Sequence, residues 1–85
     1  MITKTIYAAK PFKSGYKITR YKYDGDLRHY TDINVLVLLA DKEQAQTYID
    51  GVKTCAEYDG FKTEIETTKK WIFLTIDGDY EINGK

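Results

Sequence analysis

The chain has 85 residues, with 13 Lys+Arg against 13 Asp+Glu and 42% hydrophobic residues. That length allows one domain, 1–85, and the composition excludes a disordered chain. A membrane helix is also excluded, because it needs roughly 20 apolar residues and the longest run here is Val35 to Ala40.

Ile2 to Phe12 is rich in Thr, Ile and Tyr and reads as a strand ended by Pro11. Lys13-Ser14-Gly15 turns the chain into a second strand, Tyr16 to Tyr23, and the two make a hairpin. Asp24-Gly25-Asp26 is a break, and Leu27 to Asp32 reads as a polar connection. Ile33 to Ala40 is apolar on both alternating sets. This is the pattern of a central strand buried on both faces.

Asp41 to Tyr58 carries Ala45, Tyr48, Ile49, Val52, Cys55 and Ala56 at the spacing of one helical stripe. Asp41 is placed to cap its start and Gln44 completes a capping-box pattern, while Asp59-Gly60 ends it. Phe61 to Thr67 alternates strictly and reads as a half-exposed strand. Trp71 to Ile76 is a further strand, and Tyr80-Glu81-Ile82 is a candidate short final one after the Asp77-Gly78 turn.

The element order β-β-β-α-β-β gives an α+β two-layer sandwich, with one helix packed on one face of a mixed, mainly antiparallel sheet. The strands flanking the helix are expected to run parallel, joined by a right-handed crossover. One helix covers one face only, and the aliphatic set Ile72, Leu74 and Ile76 is assigned to it. Trp71 and Phe73 then lie on the far side with one of the alternating sets of Ile33 to Ala40. An apolar face of that size calls for cover. The cover is the chain's own hairpin, a second copy in a homodimer, or a heterologous protein partner.

Charge is unevenly distributed. Residues 1–23 carry six cations and no acid, whereas residues 41–85 carry six lysines and ten acids. Either the two halves pair off within the fold, or the polarity points at nucleic acid, an acidic protein surface or head-to-tail self-contact. The basic-aromatic segment Tyr16 to Tyr30 nominates Tyr16, Arg20, Tyr21, Lys22, Tyr23, Arg28 and Tyr30 as contacts. Their chemistry suits a protein interface, and also single-stranded nucleic acid, where rings stack on bases and cations follow phosphates.

Catalytic chemistry finds little purchase. His29 is alone and reads as a surface residue, and Cys55 lies on the helical stripe, where a thiol is a small buried hydrophobe. One Cys and one His allow no internal disulfide and supply too few ligands for zinc, which takes about three or four protein ligands. Asp24-Gly25-Asp26 and Asp77-Gly78-Asp79 do not continue into calcium loops and read as turns. No catalytic residue, metal or cofactor is assigned. With no apolar leader visible, the expected location is the cytoplasm.

In size, composition and absence of chemistry the whole chain resembles the small inhibitor proteins of bacteriophages and mobile elements, anti-CRISPR proteins among them. That resemblance implies non-enzymatic action in a host cytosol, by occluding the surface of a host protein. The partner-binding residues expected are Trp71 and Phe73, together with the seven of the basic-aromatic segment. A small nucleic-acid-binding domain is the alternative.

Overall fold

A computed structural model describes residues 3–82. Five strands and one helix follow in the order β1 Thr3–Phe12, β2 Gly15–Asp24, β3 His29–Leu39, α1 Lys42–Tyr58, β4 Thr63–Thr67 and β5 Ile72–Asp77. They form a single α+β sandwich: a sheet of order β3-β2-β1-β5-β4 with the helix on one face.

All four strand pairings are antiparallel. The strands flanking the helix, β3 and β4, run in the same direction but occupy opposite edges, so no parallel pair forms. The helix carries the chain across the whole width of the sheet, and β5 turns back to pair with β1. The first strand thereby becomes the central one. Pro11 is tolerated in it because the β5 ladder ends at Ala9, so beyond that point β1 pairs only with β2.

This topology corrects three expectations. The Ile33–Ala40 segment belongs to an edge strand and not to a central one, and Ile33, Val35 and Leu38 are 58–63% exposed. Its strand starts earlier, at His29, because β2 and β3 form a second hairpin around the Asp24–Arg28 turn. There the Asp24 carboxylate accepts from Asp26 N at 2.9 Å and Leu27 N at 3.1 Å. Tyr80 to Ile82 forms no strand. It is a strap that crosses the end of the core, held by Thr5, whose Oγ1 donates to Gly78 O (2.7 Å) and accepts from Tyr80 N (3.0 Å).

The core lies between helix and sheet. Ala45, Ile49, Val52 and Ala56 of the helix meet Tyr7, Ala9, Ile18, Ile72, Leu74 and Ile76, and Tyr80 closes one end. The aliphatic set of β5 therefore does face the helix. Cys55 lies at the edge of the helical stripe and is exposed, contrary to the buried place expected of it.

Both helix ends are closed by their own residues. Asp41 accepts from Gln44 N (2.9 Å), and Gln44 Oε1 accepts from Ala40 N (3.1 Å). At the other end Phe61 N donates to Ala56 O and Gly60 N to Glu57 O, with Gly60 at φ 91°. This is a Schellman closure, and it turns Phe61 back onto the core.

Candidate functional site

The strand register sorts every side chain onto one of two faces. Thr5, Tyr7 and Ala9 of β1 pair with Lys22, Arg20 and Ile18 of β2 and look toward the helix. The opposite face is built from Lys4, Ile6, Ala8 and Lys10 of β1 and Lys17, Thr19, Tyr21 and Tyr23 of β2. Phe73 and Thr75 of β5 join them, with Glu64 and Glu66 on β4. No described element covers this second face. The hairpin that could have curled over it lies flat within the sheet.

On β3 neither alternating set of the apolar run is presented whole. Val35 pairs with Thr19, but Val37 pairs with Ile18, so the ladder slips by one residue at Leu36. That bulge reverses the alternation. Val35 and, beyond the bulge, Leu38 share the open face, while Val37 and Leu39 pack on the core.

Of the nine residues singled out in the sequence, five meet on the open face. Tyr30 stands edge-on to Tyr21 and Tyr23, with ring centroids 5.4 and 5.3 Å apart. Trp71 meets Phe73 edge-on at 5.7 Å. Between the two clusters lies Lys10, its Nζ 5.5–5.9 Å from the Tyr21, Trp71 and Phe73 centroids. Ile6, Lys10, Tyr21, Tyr30, Ile33 and Phe73 line a shallow concavity of about 370 Å³. Lys10 was not singled out in the sequence. The signal that could have found it is its even position on β1, shared with Ile6 and Ala8.

The other four lie elsewhere. Tyr16, Arg20 and Lys22 are on the helix face. Arg20 is only 8% exposed, and its Nη2 lies 3.5 Å from Glu81 Oε1. Lys22 Nζ lies 2.6 Å from Asp79 and 3.4 Å from Glu81. Its hydrogen bond to Asp79 outweighs burial and holds the ammonium above its ordinary range. The basic N-terminal half and the acidic C-terminal half thus pair off at this point, beneath the strap. Arg28 sits in the β2–β3 turn at φ 58°, exposed.

Among the described residues no helix is long and apolar enough to cross a membrane. No protein-family model, curated protein or solved structure matches the chain.

Proposed function

We propose that this chain is a non-enzymatic protein-binding module that acts by occluding its partner, with the uncovered sheet face as the docking surface. The observation that carries this reading is the exposed row Ile33, Val35 and Leu38 next to the Tyr21–Tyr23–Tyr30 cluster, with the Trp71–Phe73 pair across the same face and Trp71 45% exposed. Monomeric proteins rarely leave such patches open without use, and Trp, Tyr and Arg are the residues that anchor interfaces. The resemblance to phage-type inhibitors supplies the mode of action, a preformed surface laid over a host protein.

Nucleic acid is the second reading, favoured by the rings around Lys10. Against it, Arg20 and Lys22 engage acids on the opposite face, and Glu64 and Glu66 stand on the open one. Capture from host lysate by wild type and Trp71→Ala, each with and without nuclease, tests both. The expected result is a captured protein that survives nuclease and is lost with Trp71→Ala, at a cost of at least about 2 kcal/mol in affinity, with the melting temperature nearly unchanged. Nuclease-sensitive capture would instead favour the second reading, and unfolding by Trp71→Ala would make the ring a structural one.

A further inference from the structure

Lys10 stands directly opposite Lys17 in the β1–β2 ladder, both on the open face. Like charges so placed repel. Each ammonium rests against rings, Lys10 as described above and Lys17 Nζ 4.8 Å from the Phe12 centroid. Among the described residues no carboxylate lies within ion-pair distance of either; Asp77, an acid of β5, is 4.0 Å from Lys4 instead. Two cations therefore stand inside the patch that any partner must cover.

That placement constrains the partner. Covering the patch takes both ammoniums out of water, which is unfavourable unless a counter-charge comes with the cover. A second copy of this chain does not bring one. An aligned two-fold packing that lays Trp71 and Phe73 over the β3 row puts β1 over β2, lysine over lysine. Shifting the copies until Glu64 and Glu66 of one reach Lys10 of the other slides β3 out of the contact. A phosphodiester chain would neutralise the lysines but would leave the aliphatic row against a polar backbone.

We infer that the open face takes an acidic-apolar protein segment, with an Asp or Glu carboxylate seated at the Lys10–Lys17 pair and apolar side chains on the β3 row and the Trp71 ring. This rests on reading the face as a protein-docking surface. Once it is docked, the carboxylate relieves the repulsion between the two lysines and replaces the water they lose, so the acid sets specificity while the apolar contacts supply area.

A displayed library of short random peptides, selected on the immobilised protein, tests this. The expected winners are apolar peptides sharing one acidic position. Changing that Asp or Glu to its amide should weaken binding to wild type about tenfold. The same change should have no effect on a Lys10→Met/Lys17→Met variant, which keeps both aliphatic stems and loses only the charges. The loss is read first on the wild-type protein, and an unchanged melting temperature shows that the variant used for the comparison is folded. Winners without a shared acid, or an equal loss on both proteins, would overturn the inference and leave the docking face standing. Winners indifferent to Trp71→Ala, or no winners, would overturn both. Preferred binding of an oligothymidylate, or a dimer that Trp71→Ala dissociates, would assign the face to nucleic acid or to a second copy and overturn the inference.

Discussion

Gly15 has no room for a side chain. A Cβ there would run into the Leu39 carbonyl oxygen where β2 begins beside the end of β3. Gly51 is its opposite, exposed in mid-helix with nothing within 4 Å of the added atom. Gly15→Ala should therefore destabilise by about 1–3 kcal/mol as the backbone shifts, whereas Gly51→Ala should stabilise by about 0.5–1 kcal/mol through helix propensity. Urea melts that move both variants the same way would contradict this. Tyr80 makes a residue-scale prediction about pH. Burial first, and the Asp59 carboxylate second, push its hydroxyl up to about 12. The unfolded chain then gives up that proton at lower pH than the folded one. The stability held by the neutral phenol is complete below about pH 10 and is lost as pH rises toward about 12, on the order of 2–3 kcal/mol. Lys22, raised by Asp79, loses its contribution in the same alkaline direction, so the comparison that isolates Tyr80 is with Tyr80→Phe. Wild type should lose stability more steeply than the variant across pH 10–12, and parallel curves would refute the assignment.

At the scale of elements, the helix is the most self-sufficient part. Its cap, its stripe and its Schellman end are all written within about twenty consecutive residues, so the sequence pattern found it whole. Its stability still comes from packing, because an isolated helix of this length is marginal in water. Ile49 is fully buried against the sheet. Ile49→Ala should cost about 2–5 kcal/mol in urea melts, transfer and cavity together, and a loss below about 0.5 kcal/mol would mean the stripe does not face the core. β3 behaves differently. Its apolar run matched the pattern of a buried strand, yet it sits on the edge, and the bulge at Leu36 turns Leu38 onto the open face. Bulges are one of the ways proteins keep an edge strand from pairing with other chains. The β4 edge is kept by other means, short length and the charges of Glu64 and Glu66.

Across the whole molecule, stability should be graded by position in the sheet. β1 and β5 are flanked on both sides and carry the fully buried Tyr7, Ile72, Leu74 and Ile76, whereas β3 has one neighbour and an exposed apolar row. Native-state hydrogen exchange should be slowest in the amides of β1 that pair with β5 and fastest among β3 amides pointing away from β2. Uniform protection across the sheet would contradict the strand order. The same gradient places the docking face beside the least protected strand, so a partner gripping β3 and Trp71 should slow exchange in β3 most.

The sequence by itself determined what depends on neighbours along the chain. The hairpin at Lys13-Ser14-Gly15, the capped helix, the alternation of β4 and the aliphatic side of β5 are all set by residues within one turn or one pleat of each other. The sequence also indicated that one helix can cover only one face of the sheet; that the β1–β2 hairpin lies flat within the sheet, leaving the other face uncovered, was decided by the tertiary structure. Tertiary structure alone decided which strand is central, because centrality comes from β5 returning to β1 across some seventy residues, and no local pattern in β1 records that event. It also decided the fate of the charges. Arg20 and Lys22 look like their neighbours Lys10 and Lys17 in sequence, but strand alternation puts the first pair beneath the strap with Asp79 and Glu81. The second pair stands in the open, where the described fold provides no counter-charge.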